Sequence, residues 1–160
     1  MNTLAINRYQ FNFKVATPLH LNFYSGSMLR GAFGHALRHI SCMTNMKDCH
    51  ACPLQSTCPY TLIFEPIAPE QHRMQNFNQV PAPYIIEPPP LGSKNYQIGK
   101  ALSFSMVLMG AAIKQLPLII FAWQRALERG LGKEQAQAKL INVALQTSSQ
   151  NPQMIYQPNI

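Results

Sequence analysis

Hydrophobic and polar residues alternate near the amino terminus. Residues 4–16 set one apolar series against one polar series, namely Tyr9, Phe11, Phe13 and Val15 against Gln10, Asn12 and Lys14. A period of two is typical of a strand with one buried face. The pattern therefore predicts a first strand whose aromatic face belongs to the core.

A helical period follows. Ser25-Gly26-Ser27 precedes a segment that runs to about Ile40, and its apolar residues form one stripe on a helical wheel: Leu29, Phe33, Leu37 and Ile40. Gly31 and Gly34 lie inside this predicted helix. Each costs up to about 1 kcal/mol against Ala, which suggests close packing or the close approach of another chain.

The remaining pattern predicts mostly strands. They cover residues 62–64, 84–87, 94–110, 139–146 and 154–156. A second helix is predicted over 111–129, and it ends at Gly130-Leu131-Gly132. The Ala and Gln content of 139–146 leaves a helix as an alternative there. The Pro-rich stretch 66–90 argues against helix and makes 84–87 an edge strand.

This order of elements predicts an α+β fold, a ferredoxin-like (RRM-like) antiparallel sheet with helices on one face. A Cys-rich excursion at 41–60 interrupts it. Sheets of this kind are the platform of many RNA-binding modules, in which aromatic side chains stack on bases. For Tyr9, Phe11 and Phe13 we favour the core over such stacking.

The charge balance adds a partner class. Of the 160 residues only 12% are charged, and 13 Lys and Arg face 6 Asp and Glu, for a net charge of +7. Such a field suits a phosphate-rich partner, although it can also serve solubility alone. No apolar run reaches the roughly 18–20 residues of a membrane span, and no secretory signal is visible. We expect a cytoplasmic protein without a membrane partner, whose thiols stay reduced.

All four cysteines lie close together. Cys42, Cys49, Cys52 and Cys58 form a C-x6-C-x2-C-x5-C pattern. Thiolates two residues apart can bind one ion, and four complete a closed tetrahedral site, which predicts structural zinc. An iron–sulfur cluster and metal-free thiols or disulfides are the alternatives, and His50 is a possible replacement ligand.

The first predicted helix also carries candidate chemistry. His35 and His39 are neighbours at i and i+4, with Arg38 beside them and Arg30 on the other flank. Such a pair can bind zinc, form a solvated polar face, or transfer protons at a phosphodiester while arginine stabilises the added charge. Lys94 and Lys100 flank a strand and are further candidates for phosphate contact.

A family resemblance narrows these alternatives. Residues 24–39, YSGSMLRGAFGHALRH, resemble a helix of the CRISPR-associated endoribonucleases of the RAMP superfamily, which process precursor CRISPR RNA. In the same order follow CPY at 58–60, LIFEP at 62–66, APYIIEPP at 82–89, LSFSMVLMG at 102–110 and GLG at 130–132. The resemblance covers about residues 20–157.

The resemblance implies a metal-independent nuclease of two ferredoxin-like domains. Such an enzyme binds CRISPR repeat RNA and cleaves it to leave a 2′,3′-cyclic phosphate, without a catalytic cofactor. A general acid or base is expected in or near the first helix, which singles out His35 or His39, with Tyr24 and His20 as nearby alternatives. Arg30, Arg38, Lys94 and Lys100 become the candidate RNA-binding residues.

The resemblance also implies a domain division. We expect a ferredoxin-like domain over 1–135, with its Cys-rich insertion, and the start of a truncated second one over 136–160. The glycine-rich loop near the carboxyl end of the family is missing, so we expect an amino-terminal portion or a short relative. Two other functions stay open: a non-catalytic RNA-binding subunit that works with other CRISPR-associated proteins, and a zinc-stapled interaction module.

Overall fold

The alternating amino-terminal segment is a strand at the centre of the sheet. The structure is a computed structural model and describes residues 3–66 and 80–158. Its strands are β1 (Ile6–Val15), β2 (Leu19–Leu21), β3 (Tyr84–Glu87), β4 (Lys94–Tyr96), β5 (Ala101–Met109), β6 (Ala138–Gln146) and β7 (Gln153–Tyr156). Its α-helices are α1 (Gly26–Ser41), α2 (Pro59–Ile63) and α3 (Leu116–Arg129).

The sheet confirms the predicted fold class. Its five strands have the order β3-β5-β1-β6-β7, and all neighbours are antiparallel. Helix α1 follows β1 and helix α3 follows β5. The first four strands of this order therefore form the β-α-β-β-α-β arrangement of a ferredoxin-like fold. Strand β7 adds an edge, and β2 and β4 form a separate two-stranded sheet.

The core lies between the sheet and the two long helices. The β1 aromatic residues Tyr9, Phe11 and Phe13 are at most 3% exposed, which confirms that they are core residues. Trp123 of α3 is fully buried, and its ring centroid lies 4.8 Å from that of Phe33 on α1. These contacts leave one stripe of α1 buried and direct its polar residues outward.

Two predicted strands are wrong. Residues 62–64 are not a strand, because Pro59 begins the short helix α2 at its N-terminal position and most of the segment is helical. For an apolar run of only a few residues, the hydrophobic period cannot distinguish a helix from a strand. The predicted strand 94–110 is two strands, separated at Gly99, whose φ is +86°.

The other predicted elements differ only in their ends. The predicted edge strand at 84–87 is β3, and the segment at 139–146 is strand β6 rather than a helix. The second helix begins later than expected, because a 3-10 turn over Gly110–Gln115 precedes it. Part of the Pro-rich stretch, residues 67–79, lies outside the described residues.

The carboxyl-terminal residues take part in the same sheet. We expected residues 136–160 to begin a second domain, but β6 pairs with β1 along nearly its whole length, and β7 pairs with β6. The described part of that range therefore completes the first ferredoxin-like unit. Within the described residues, no helix is long and apolar enough to cross a bilayer.

Candidate functional site

Helix α1 leaves its histidines open to solvent. Leu29, Phe33 and Leu37 are fully buried against the core, whereas His35 and His39 are exposed. Since residues at i and i+4 lie above one another on a helix, the two imidazoles project from one stripe of the surface. The sequence predicted this pairing, and the packing of the opposite stripe is what directs both rings outward.

The two histidines border a shallow depression of about 480 Å³. Its lining is His35, Arg38, His39, Cys42, Asn45, Met46 and Lys47. The depression therefore joins α1 to the start of the Cys-rich segment. Two imidazoles and a lysine ammonium around one open surface can exchange protons and hold an anion.

Arg38 has structural partners. Its Nη2 donates to the backbone carbonyl oxygens of Met46 at 2.9 Å and Lys47 at 3.1 Å. Its guanidinium carbon lies 5.7 Å from the centroid of the Tyr60 ring. These contacts hold the segment after α1 against the helix, a use that the sequence did not indicate because its partners lie eight and nine residues away.

Arg30 lies on a different stripe of α1. Its guanidinium carbon is 4.5 Å from the centroid of Phe64, a cation–π contact. The Phe64 ring also covers Gly34, where a Cβ atom would lie 2.3 Å from Phe64 Cζ. The predicted close packing is thus present at Gly34, whereas a Cβ on Gly31 would meet nothing within 4 Å.

The other predicted site residues lie elsewhere. Tyr24 precedes α1, is 72% exposed, and packs edge-on against Phe23 at 4.7 Å. Residue 35 follows it by eleven positions, which is about three helical turns. The imidazole Nδ1 of His20 lies 2.7 Å from Asn95 Oδ1, in the small sheet that also contains Lys94. Tyr24 and His20 therefore do not share the depression of His35 and His39.

Lys100 lies just before β5 of the central sheet. It is exposed, and its carbonyl oxygen accepts a 2.9 Å hydrogen bond from the Val15 N–H. Lys94 is exposed on β4. The candidate RNA-binding residues are therefore distributed over several surfaces.

The four cysteines line one cavity. Cys42, Cys49, Cys52 and Cys58 all border a space of about 150 Å³ beside Tyr60. They come from three local structures: Cys42 from the end of α1, Cys49 and Cys52 from the two ends of one 3-10 turn, and Cys58 from the N-cap of α2. All four are partly exposed free thiols.

Local hydrogen bonds favour a thiolate at Cys42. The Asn45 N–H donates to Cys42 Sγ at 3.3 Å, and Asn45 has a φ of +56°, which turns the chain back toward the sulfur. This bond lowers the pKa of the Cys42 thiol below its usual value. Burial raises the pKa of Cys49. Thr44 Oγ1 lies 3.4 Å from Cys52 Sγ.

The donor set suits zinc in its chemistry. Four sulfur ligands from a short segment can enclose this metal, and a backbone N–H to sulfur bond favours the charged ligand. Among the described residues, however, no three His, Cys, Asp or Glu side chains stand at metal-binding distance of one point. Zinc would need the thiols to converge into the cavity that they line.

A second depression adjoins α1 on its other side. It has a volume of about 540 Å³ and is lined by Ala36, His39, Ile40, Phe121, Arg125, Glu128 and Arg129. His39 therefore borders both depressions. Sequence analysis missed Lys47, Arg125 and Arg129 as site residues, since nothing in their spacing relates them to α1.

Comparisons with known proteins address the family and the fold. The profile of the AF_1859_N family, described as an N-terminal domain, matches residues 4–159. No curated protein matches significantly. Among 21 matching chains of solved structures, one comes from a crystal structure of the Csm3-Csm4 subcomplex in the type III-A CRISPR-Cas interference complex. The two share a TM-score of 0.52 and 17% identity over 91% of this chain and 80% of that one. At this identity the likeness is one of fold.

Proposed function

This chain belongs to the AF_1859_N family of N-terminal domains, and we propose that it is an RNA-binding RAMP protein of a CRISPR system. The observation that carries this proposal is the exposed His35 and His39 pair beside Lys47, on a chain of net charge +7. A basic, acid-poor surface attracts a polyphosphate chain. The solved structure with the same fold contains Csm3 and Csm4 in a CRISPR-Cas complex.

The same pair supports cleavage as the finer activity. One imidazole removes the proton from a ribose 2′-hydroxyl, and the 2′-oxygen forms a bond to the adjacent phosphorus. The bond from phosphorus to the 5′-oxygen breaks, and the other imidazole protonates the leaving oxygen. The products are a 2′,3′-cyclic phosphate and a free 5′-hydroxyl, and the step needs no metal ion. Lys47 is the nearby cation that can stabilise the phosphorane charge.

One assay, with repeat RNA and excess EDTA, tests both RNA binding and RNA cleavage. We expect the chain to bind repeat RNA more tightly than a scrambled RNA of equal length, and to yield a single discrete product with a cyclic phosphate end. His35→Ala or His39→Ala should abolish the product and leave most of the affinity. His20→Ala is the matched control, since this exposed imidazole lies in the small sheet.

Each outcome separates the candidate functions. Binding without any cleavage would make the chain a non-catalytic RNA-binding subunit. Cleavage that survives both α1 variants and fails in His20→Ala would move the chemistry to the small sheet. An affinity equal to that for scrambled RNA, and lost at moderate salt, would contradict RNA binding and favour an interaction module.

Other CRISPR-associated proteins are the expected protein partners. The fold neighbour was solved as part of a multi-subunit complex. Co-purification of the tagged chain with proteins encoded beside it, before and after ribonuclease treatment, tests this. A partner that survives ribonuclease treatment contacts the protein directly, and recovery of no such partner would contradict this expectation.

Structural zinc is a separate part of the proposal. Cys42, Cys49, Cys52 and Cys58 are the four ligands, and zinc bound there would tie the excursion to the end of α1. An iron–sulfur cluster is the alternative for the same thiols. Metal analysis and the absorption spectrum distinguish the two, since zinc is colourless and iron–sulfur clusters absorb visible light.

A further inference from the structure

We propose that the RNA backbone crosses α1 at His39, with Lys47 holding a phosphate on one side and Arg125 and Arg129 holding phosphates on the other. This inference rests on the proposed function, and it adds the phosphate-binding groups of the same site. It assigns the three cations that sequence analysis did not select.

The path follows two depressions that meet at one side chain. One runs from His39 toward the Cys-rich segment and reaches Lys47; the other runs from His39 between α1 and α3 and reaches Arg125 and Arg129. Their volumes are about 480 and 540 Å³. Both depressions are open to solvent, so that an extended single strand of RNA can enter them without rearrangement of the protein core.

The cations along this path keep their charge available. Among the described residues, Lys47 and Arg129 take part in no ion pair. Arg125 has one acidic neighbour, Glu128, at 4.0 Å, with both side chains about half exposed. An exposed pair of this kind is worth little and is easily replaced by a phosphate. Arg38 borders the first depression, but its hydrogen bonds to backbone carbonyls occupy it.

A structural explanation covers only part of this arrangement. Arg129 lies in the last turn of α3 and His39 lies in the last turn of α1. The helix dipole stabilises positive charge at such a position. Lys47 lies beyond α1, and Arg125 lies one turn before the end of α3. Helix ends therefore do not account for all the cations that surround His39.

The open face of the sheet is the competing surface and supplies the control. Lys14 and Lys139 are direct partners on β1 and β6, on the face away from the helices. The double variant Arg125→Gln/Arg129→Gln and the control Lys14→Gln/Lys139→Gln remove the same charge. Both change exposed side chains, so that the fold is preserved, which circular dichroism verifies.

The expected effect follows from counterion release. Each lost phosphate contact on single-stranded RNA lowers the slope of log K against log salt by about 0.7, which is roughly 5-fold in affinity at 0.1 M salt. The Arg125/Arg129 variant should therefore bind repeat RNA about 25-fold more weakly, with a slope smaller by about 1.4. Lys47→Gln should lose about 5-fold, and the Lys14/Lys139 control should stay within twofold of wild type.

The outcomes are distinguishable from those of the proposed function. If the wild-type chain does not bind repeat RNA, both fail. If the wild-type chain binds, and the Lys14/Lys139 variant rather than the Arg125/Arg129 variant loses affinity for repeat RNA, RNA binding stands and this path is wrong. If the Arg125/Arg129 variant loses affinity and Lys47→Gln does not, the RNA contacts α3 without reaching Lys47, and the crossing of α1 is refuted.

Discussion

The contact between α1 and the ring of Phe64 supports a prediction from two glycines in one helix. Gly34→Ala places a methyl group 2.3 Å from Phe64 Cζ and 2.5 Å from Cε2, closer than any real contact. Gly31→Ala places the same group where nothing lies within 4 Å. The two substitutions are chemically identical, so their difference isolates the effect of the ring.

Helix propensity and the contact with Phe64 change the free energy of unfolding in opposite directions. Each substitution gains about 1 kcal/mol in helix propensity. At Gly31 nothing opposes this gain, so we expect stabilisation and a rise in Tm of about 2–4 °C. At Gly34 displacement of the ring costs about 1–3 kcal/mol, which cancels or exceeds the gain. The two variants should therefore differ by about 1–3 kcal/mol in free energy of unfolding.

Urea denaturation of both variants and wild type measures this difference. A double variant, Gly34→Ala/Phe64→Leu, completes a cycle with Phe64→Leu, because removal of the ring also costs its contacts with Arg30 and Tyr60. Substitution at Gly34 should be less harmful on the Phe64→Leu background. Equal stabilities of Gly31→Ala and Gly34→Ala would refute the contact between α1 and Phe64.

Three further predictions concern the segment after α1, the core and the metal. Arg38→Ala removes two hydrogen bonds to backbone carbonyls, and urea denaturation should show a loss of about 1–3 kcal/mol; stability equal to wild type would contradict this role. Trp123→Ala empties the centre of the core, with an expected cost of about 3–5 kcal/mol by the same measurement; a loss under about 1 kcal/mol would indicate a loosely packed core. Protein purified without chelator should contain about one zinc per chain, and chelation should lower its Tm; a metal-free chain with the Tm of the untreated protein would count against a structural metal.

The sequence predicted those parts of the fold that depend on local period. The alternation of Tyr9, Phe11 and Phe13 was enough to predict β1 and its buried face, because a strand buried on one side has only two faces. The apolar stripe of α1 was predicted for the same reason. Where the signal was a single short apolar run, as at 62–64, the period was ambiguous, and Pro59 determined that a helix forms.

The parts that failed depend on contacts between distant residues. Gly99 separates β4 from β5, and the two strands then pair with different partners, β2 and β1. A glycine marks a possible break, but its neighbours do not show which strands will pair on either side. The backbone partners of Arg38 likewise could not be predicted, because they depend on how the chain after α1 folds back on the helix; whether Arg38 also binds RNA stays a prediction.

The packing of α1 leaves one surface for chemistry. Its first stripe, with Phe33, is buried against the sheet and α3. Its second, with Gly34 and Arg38, is covered by the ring of Phe64 and by the carbonyls of the Cys-rich segment that Arg38 holds. The stripe that remains carries His35 and His39. If RNA is cleaved on this helix, that stripe supplies the imidazoles, and the Cys-rich segment then fixes the edge of the depression and brings Lys47 to the phosphate.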